Sequence, residues 1–461
     1  GTEFGRVFGS SDNFYIQARQ SDKDMIFQGI DGSSTISALT LDMSNAGAAT
    51  FNSSVTSAGL HSTTSGTSNF IAGVNAGNSI ASGGNYNTVV GDEAGTAITT
   101  GDGNSLVGKD AGRLITTGQY NTTVGFDSLE NTTTANDNTA MGYYSLQANT
   151  TGASNAAFGR QSLASNTTAS NNTAVGYFSL AANTTGHGNV AVGRLCLDAN
   201  TTGLANTAMG NSALGANTTA DNNTAVGSSA LSANTTGASN VAVGAYALDA
   251  NVSSSSNTAI GYNSLTTNTA ASNTAVGKDS LEANSSGGSN VAVGADALAS
   301  NTTASNNTAV GKSALAANTT GTLNVAVGFN SLDANTNGNH NTALGYNTLG
   351  AQNYGSATDS YNTAVGSAAG AAVTTGTNNT FIGGLVGDAN TTGTHNTGVG
   401  FDALTANTTA VGNSAFGQSS LKNNTTGASN TGLGGQALQT NSTGSSNTAV
   451  GVLALYGNTS A

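Results

Sequence analysis

A five-residue segment with the pattern N-T-A-V-G recurs at a nearly constant interval through most of the chain. Its closing glycine occurs 22 times between Gly91 and Gly451. Of the 21 intervals between these glycines, 19 are 17 residues long, as from Gly227 to Gly244. Of the other two intervals, one is shorter by a single residue and one is longer by four, and a degenerate earlier copy ends at Gly73. A short period sustained over this length is typical of a solenoid, in which each unit buries its face only against its neighbours.

The length of the repeat favours strands over helices. Helical repeats need about 33 residues or more, whereas about 17 residues accommodate two strands and two turns. In the copy that begins at Asn223, the first predicted strand is N-T-A-V-G and the second is Ala230 to Asn234, with Gly, Asn, Thr and Ser at the corners. We predict an all-β parallel β-roll, a β-helix solenoid of about 22 coils stacked at about 4.8 Å and roughly 100 Å long.

The repeat divides the chain into three parts. Residues 1–60 form a predicted N-terminal β-strand segment, residues 61–86 a lead-in rich in Gly, Ser, Asn and Thr, and residues 87–461 the repeat shaft. Alternating patterns and turn clusters in the first part predict five strands. These are Arg6–Gly9, Asn13–Arg19, Asp24–Gly29, Ile36–Met43 and Ala48–Thr56.

The interval between Gly345 and Gly366 contains four extra residues, which predicts an insertion at about 350–362. Insertions are tolerated best at solvent-exposed corners, so we expect a bulging loop there. Gly370 and Gly387 also replace the Leu of the regular repeat. We therefore expect the weakest packing of the shaft near residues 350–390.

Strand alternation predicts which side chains face the interior. In N-T-A-V-G, the Asn, Ala and Gly point one way, while the Thr and Val point the other way. The second set is doubly apolar in several copies, which are Val190/Val192, Val241/Val243, Val291/Val293 and Val325/Val327. A strand that is apolar on both faces is covered on both. Because nothing else in the repeat can cover the second face, we predict that another chain does, with these valines in the core between subunits.

The second predicted strand places Leu231 and Ala233 on the inner face, with the variable polar residue between them in solvent. Asn ends this segment and also begins the first strand in nearly every copy. Stacked coils would align these residues as ladders, in which side-chain amides bond to each other and to turn backbone. The ladders also account for the many N-x-[ST] matches, such as Asn234 with Thr236, without any glycan.

Charge and composition exclude several classes of partner. The net charge of −13 disfavours nucleic acid and anionic membranes. No apolar run is long enough to span a bilayer, so we predict no membrane insertion. Cys196 is the only cysteine and occupies a position where other copies have Ala or Ser, which predicts a small buried residue.

Few residues could support catalysis or metal binding. Close carboxylate pairs such as Asp127/Glu130 and Asp279/Glu282 are the type of residue that a glycosidase uses, but their repeat positions predict solvated surface. The four His residues lack metal-ligand spacing. Nucleophile, P-loop and calcium-repeat motifs are absent from the sequence. We predict no enzymatic activity, no cofactor and no metal.

The position after the repeat glycine carries the most informative variation. It holds five of the seven basic residues of the repeat region, together with many of its aromatics. The residues are Lys109, Phe126, Tyr143, Arg160, Tyr177, Arg194, Tyr262, Lys278, Lys312, Phe329, Tyr346 and Phe401. Stacking predicts that they follow one edge, where they can stack on sugar rings or meet a receptor. The alternative is that they only cover the corner or meet a neighbouring subunit.

The pattern N-T-A-V-G-x-x-A-L with Asn-Thr-Gly corners resembles the head repeats of YadA-type trimeric autotransporter adhesins and, still more, the repeat shafts of phage tail fibres. The resemblance covers roughly residues 69–461. It implies a trimeric, left-handed parallel β-roll with strand one facing the three-fold axis, although adhesin heads use shorter coils than the repeat of this chain. Residues 21–56 also resemble tail-fibre segments that precede a self-cleaving chaperone.

These observations lead to a functional hypothesis. We expect a homotrimeric, non-enzymatic fibre, the shaft of a phage tail fibre in the virion, which binds other tail proteins and a glycan or protein receptor on the host surface. A bacterial adhesin or another extracellular filament is the first alternative. An ice-binding solenoid, based on the recurring Thr235/Thr236 pairs, and a polysaccharide-degrading tailspike are further alternatives.

Overall fold

A computed structural model describes residues 5–10, 13–18, 25–31, 34–42, 48–51, 60–61 and 64–460. All regular structure in these ranges is β-strand, and the strands are joined by turns. The chain divides into two compact units, residues 1–151 and residues 152–461. The predicted all-β solenoid with a 17-residue period and a small N-terminal antiparallel segment is confirmed.

The N-terminal segment contains five short strands. Strands β1 (Gly5–Ser10) and β2 (Asn13–Ala18) form an antiparallel pair. Strands β3 (Met25–Asp31), β4 (Ser34–Asp42) and β5 (Ala48–Phe51) form an antiparallel sheet of three. All five overlap the predicted strands, because the alternating pattern and the intervening turn residues determine this local structure.

The solenoid strands of the first unit are three residues long and parallel. Strand β6 (Leu60–His61) pairs antiparallel with β7 (Phe70–Ala72), the strand of the degenerate first copy. Strand β7 then pairs in parallel with the next copy, and the series continues one copy at a time. These strands are β8 (Thr88–Val90), β9 (Ser105–Val107), β10 (Thr122–Val124) and β11 (Thr139–Met141).

The second unit continues the same pattern, and each strand pairs in register with the strand one coil later. Its strands are β12 (Ala156–Phe158), β13 (Thr173–Val175), β14 (Val190–Val192), β15 (Thr207–Met209), β16 (Thr224–Val226), β17 (Val241–Val243), β18 (Thr258–Ile260), β19 (Thr274–Val276), β20 (Val291–Val293), β21 (Thr308–Val310), β22 (Val325–Val327), β23 (Gly338–Asn339), β24 (Thr342–Leu344), β25 (Thr358–Asp359), β26 (Thr363–Val365), β27 (Thr380–Ile382), β28 (Thr397–Val399), β29 (Ser414–Phe416), β30 (Thr431–Leu433) and β31 (Thr448–Val450).

The predicted facing of strand one is confirmed. In β16, Ala225 is fully buried while Thr224 and Val226 are partly exposed, and the preceding Asn223 is fully buried. The same alternation recurs along both units because side chains of a strand point alternately to its two faces. Small residues inside allow the opposite wall of each coil to approach closely.

The second predicted strand is wrong. Ala230 and Leu231 are adjacent and both fully buried, which an alternating strand does not allow, and Ala233 is only partly buried. The segment consists of consecutive turns, in which the Ala230 amide donates to the Gly227 carbonyl at 3.3 Å and the Asn234 amide donates to the Leu231 carbonyl at 3.2 Å. Leu231 has a φ of 54°, a left-handed conformation that is uncommon for Leu. Strand propensity does not anticipate this conformation.

The repeat glycine is required by the approach of successive coils. Gly227 has a φ of 137°, and a Cβ atom at this position would lie 2.5 Å from the carbonyl oxygen of Gly244 in the next coil. No side chain fits at that distance without displacing backbone. This close approach explains why the glycine is present in every copy of the repeat.

The two predicted asparagine ladders are confirmed. At strand one, the Asn223 amide donates to the Asn206 side-chain carbonyl at 3.0 Å, and Asn223 Nδ2 donates to the Gly237 carbonyl at 2.9 Å. At the opposite corner, Asn234 Nδ2 donates to Asn217 Oδ1 at 3.1 Å and to the Gly237 carbonyl at 2.9 Å. Buried amides are tolerated here because each is hydrogen-bonded.

The interior can be filled from either of two positions of a coil. Regular coils have a buried Leu four residues after the repeat glycine and an Asn three residues later, as in Leu231 and Asn234. Four coils have Gly at the first position and a buried Ile or Val at the second. The pairs are Gly77/Ile80, Gly95/Ile98, Gly112/Ile115 and Gly370/Val373. The second residue thus occupies the space that Leu fills elsewhere; for example, a Cβ at Gly95 would lie 2.8 Å from Ile98 Cδ1.

The expectation of weak packing near residues 350–390 is wrong, because another side chain fills the space of the missing Leu. The Phe381 ring is fully buried and fills the interior beside both glycines that replace Leu. A Cβ atom at Gly387 would lie 2.6 Å from Phe381 Cε1, and one at Gly370 would lie 3.0 Å from Phe381 Cδ2. The missing Leu side chains therefore leave no space for an added methyl group at these positions.

The coil with four extra residues contains the additional strand β25, which pairs in parallel with β23 of the preceding coil. Tyr354 and Ser360 are buried, and residues 355–357 between them are exposed. The Tyr354 hydroxyl donates to the Gly376 carbonyl at 2.8 Å. The insertion is therefore exposed at residues 355–357 and at Asn353 and Asp359 on either side, while Tyr354 fixes its base in the interior.

The exchange between Leu and Asn positions predicts a rescue. Leu231→Gly should destabilise its coil by about 2–4 kcal/mol, because it removes a buried side chain. Leu231→Gly combined with Asn234→Ile should recover at least half of this loss, since Ile fills the same space. Hydrogen exchange of the amides in residues 223–239, read by mass spectrometry, measures the local stability. A double variant that is no more protected than Leu231→Gly would contradict the exchange.

Candidate functional site

The outer face of strand one has the same chemical character in coil after coil of each unit. We define the uncharged face as the first and third residues of strands β7–β22, β24 and β26–β31. Every first residue is Thr, Ser, Val, Ala or Phe, and every third residue is apolar. The face therefore has no charged side chain in either unit, although the chain carries 23 acidic and 10 basic residues.

The valines predicted for a core between subunits lie on this face. Val291 and Val293 are each 36% exposed and Val325 is 40% exposed, and the remaining valines of the set are also partly exposed. The middle residues of the same strands are fully buried. The valines thus pack against neighbouring coils on their flanks and present their outer surface to solvent in the single chain.

The twelve aromatic and basic residues that follow a repeat glycine, here called the corner row, are exposed as predicted. The seven aromatic members are 41–57% exposed. Within the second unit, the Phe329 and Tyr346 rings stack with centroids 5.9 Å apart, and the Arg160 guanidinium lies 5.7 Å from the centroid of the Tyr177 ring. The partners of each pair are one coil apart, so coil stacking does align this row within the unit.

The corner row of the first unit forms a tighter cluster. Phe126 stacks on Tyr143 with ring centroids 5.6 Å apart, and Lys109 Nζ lies 5.4 Å from the centroid of the Phe126 ring. Tyr144 packs against Tyr143 with ring centroids 4.0 Å apart, and the hydrogen bond that the Tyr144 hydroxyl donates to Tyr143 is the main reason that the pKa of Tyr144 is raised to about 12. These side chains therefore contact one another within a single chain.

The carboxylate pairs are less exposed than predicted. The side chain of Asp279 is only 14% exposed, and that of Glu130 is 16% exposed. Glu130 pairs with the Arg113 guanidinium at 2.6 Å, and burial is the main reason that the pKa of Asp127 is raised. The prediction of solvated surface is therefore wrong for Asp127, Glu130 and Asp279, which are half-buried, and is confirmed for Glu282, which is exposed.

A second set of carboxyl groups follows the core Leu, or Gly387 in its place, at a repeat position that was predicted to face solvent. Asp198, Asp249, Asp333 and Asp388 are only partly exposed. Burial raises the pKa of each carboxyl group, and backbone hydrogen bonds lower it by less. Solvation is incomplete because the following coil stacks over each side chain.

Neither a reactive thiol nor a metal site is found among the described residues. Cys196 is fully buried as predicted, and burial raises the pKa of its thiol to about 12, so the reactive thiolate is scarce at neutral pH. Among residues 64–460 and the described strands before them, no cluster of three His, Cys, Asp or Glu side chains could hold a metal ion. None of the described segments is a helix with the length and apolarity of a membrane span.

The recurring Asn-Thr-Thr corners use their polar groups internally. Asn234 is fully buried, and its amide nitrogen bonds to two carbonyl oxygens, so the folded corner presents no accessible glycan acceptor. The Thr235 hydroxyl donates to the Val252 carbonyl at 3.0 Å, which leaves only Thr236 of the pair exposed. The pair therefore does not present two adjacent outward hydroxyls.

Sequence reasoning missed a cluster of residues that joins the longest coil to the coil before it. The His340 and Tyr361 rings stack with centroids 4.9 Å apart at an angle of 20°. His340 Nε2 lies 3.8 Å from Asp359 Oδ1, which also accepts a hydrogen bond from Asn339 Nδ2 at 3.0 Å. The break in the regular period was visible, but the pairing of β23 with β25 that brings these residues together was not.

Comparisons of the chain with models of protein families, with curated proteins and with solved structures find no match.

The raised pKa values predict that acid stabilises the fold. The pKa values of Asp198, Asp249, Asp333 and Asp388 are higher in the folded chain than in the unfolded chain. At pH values between the unfolded and the folded pKa, the folded chain therefore binds more protons. Stability should therefore rise as the pH falls from 7 towards 4, and be lost again as the pH rises through the folded pKa values. Thermal unfolding followed by circular dichroism at several pH values measures this trend.

A matched variant isolates the contribution of the buried carboxyl groups. Replacing Asp198, Asp249, Asp333 and Asp388 together by Asn should raise the unfolding temperature at pH 7 and flatten its dependence on pH. An unfolding temperature that falls steadily from pH 7 to pH 4 in the unmodified chain would contradict the assigned direction.

Proposed function

We propose that the chain is a structural and adhesive fibre protein that acts as a homotrimer, with the uncharged face buried between copies. The observation that carries the proposal is the combination of apolar third residues and the absence of charge over this face in both units. Exposed apolar patches that extend beyond a few hundred Å² mark interaction sites. A parallel strand that is apolar on both sides is normally covered on both sides.

The chemistry of the surface favours a second copy of the chain as the occupant. Identical chains of charge −13 repel each other, and net charge of this kind keeps proteins apart. The uncharged face is the surface on which this repulsion is weakest. A copy of the same solenoid also presents an apolar side chain at the same interval along its stacked strands, so every coil can find an equivalent partner.

The number of copies and the biological role rest on the resemblance of the repeat to trimeric adhesin heads and tail-fibre shafts. We assign the chain as the shaft of a phage tail fibre, located in the virion and in contact with the host cell surface. The exposed aromatic and basic corner row supports a role in that contact, since such side chains are common in binding surfaces. Catalysis is not part of the proposed function.

Charge introduced into the uncharged face should dissociate the assembly. Val243→Lys combined with Val293→Lys would bury two unpaired ammonium groups per chain, each at a cost of several kcal/mol. We expect sedimentation velocity to show a shift from trimer to monomer, with the β-rich circular dichroism spectrum retained. Both valines are partly exposed in the single chain, so folding does not require them to be apolar.

Thr236→Lys is the matched control because it adds the same charge at an exposed corner of the solenoid. This variant should sediment as the unmodified chain does. The proposal would be contradicted if the double valine variant sedimented like the unmodified chain and its control.

A further inference from the structure

The coil between Gly345 and Gly366 spans the longest interval between repeat glycines, four residues more than the regular one. Regular coils present nearly the same corner in every repeat, so a ligand of a regular corner would find many equivalent places. The longest coil differs because β23 and β25 pair beside the main sheet. It therefore provides a surface that the rest of the second unit does not repeat.

The insertion is held rigidly at its base. The Tyr354 carbonyl accepts hydrogen bonds from Asn337 Nδ2 at 2.9 Å and from the Thr336 hydroxyl at 3.2 Å. The Ser360 hydroxyl donates to the Asn339 carbonyl at 2.8 Å. Preorganised groups lose little conformational entropy on binding, so this coil is suited to hold a ligand.

The side chains that project from this coil combine an aromatic ring with hydrogen-bonding groups. Tyr361 is 53% exposed and stacks on His340, while the side chain of Asp359 is 57% exposed. Asn339 donates to Asp359 and so fixes the carboxylate beside the two rings. We call these four residues, His340, Asn339, Asp359 and Tyr361, the insertion patch.

We infer that the insertion patch binds a neutral carbohydrate. The apolar C–H face of a pyranose ring can stack on Tyr361, and its hydroxyl groups can donate to the Asp359 carboxylate or bond with the Asn339 amide. An acidic sugar is disfavoured by Asp359 and by the net charge of −13. This inference rests on the proposed function, in which the fibre contacts a cell surface, and it assigns that contact to one coil.

The first experiment screens the fluorescently labelled full-length chain on an array of neutral and acidic oligosaccharides and on a panel of bacterial cells. Calorimetry with the strongest array hit then compares variants. Tyr361→Ala should weaken binding about tenfold, as truncation of a central aromatic contact does. Asp359→Asn should weaken it as well, because the amide loses one acceptor.

Tyr120→Ala is the matched control. Tyr120 precedes a ladder asparagine just as Tyr361 does, is also exposed and also has a positive φ, of 57° compared with 47°. It lies in the first unit, in a coil of regular length without an insertion. The control should bind the oligosaccharide as tightly as the unmodified chain.

The outcomes separate this inference from the proposed function. If cells or sugars bind the chain and Tyr361→Ala binds as tightly, the insertion patch is overturned while the adhesive role stands. If the chain binds no cell and no sugar, the adhesive role fails together with the inference. Binding only of acidic sugars, or only of a cationic oligolysine probe at this patch, would also overturn the assignment to a neutral carbohydrate.

Discussion

The stacking of asparagine side chains from coil to coil is the interaction on which the rest of the structure depends. A single coil of this solenoid is too short to enclose a core, so its interior exists only between its neighbours. The buried amides of Asn223 and Asn234 bond to the preceding coil and to turn backbone, and so determine how two coils align. Once aligned, the strand alanines and the Leu side chains fill the narrow space inside.

The period of the repeat was sufficient to predict the class of fold, because length excludes helical pairs and the alternation of strand one determines its facing. The second segment was predicted incorrectly because its conformation depends on the tertiary structure. Leu231 adopts a left-handed φ that only the packing of its side chain in the coil interior supports. The exchange of Leu/Asn for Gly/Ile, as at Gly95 and Ile98, is visible in the sequence but becomes interpretable only when both positions are seen to share one space.

The surfaces also differ in whether the repeat period alone could predict them. The corner row could be found from sequence because it occupies one repeat position, and its neighbours do stack within each unit. One half of the insertion patch could have been found in the same way, because His340 and Tyr361 each directly precede a ladder asparagine. The other half could not, because Asn339 and Asp359 meet through the pairing of β23 with β25, and the four extra residues remove the regular period there.

Charge and apolar surface are separated on each coil. Carboxyl and basic groups lie at the corners and turns, some of them partly buried, as Asp279 is, while the outer face of strand one has none. This separation would let many copies of one short sequence combine solubility at the corners with association along a single face. It also explains why the apolar residues of that face vary among Val, Ile, Leu, Met and Phe, since a sheet face needs apolar area more than one particular shape.

The native mass of the purified chain in solution, measured by light scattering, tests most directly whether copies cover the uncharged face. The account predicts a mass about three times 44.8 kDa at micromolar concentration and physiological salt. A mass of 44.8 kDa for a chain whose circular dichroism shows the β-rich fold would contradict it. The apolar face would then be exposed in the native protein, and the assignment as a trimeric fibre would fail.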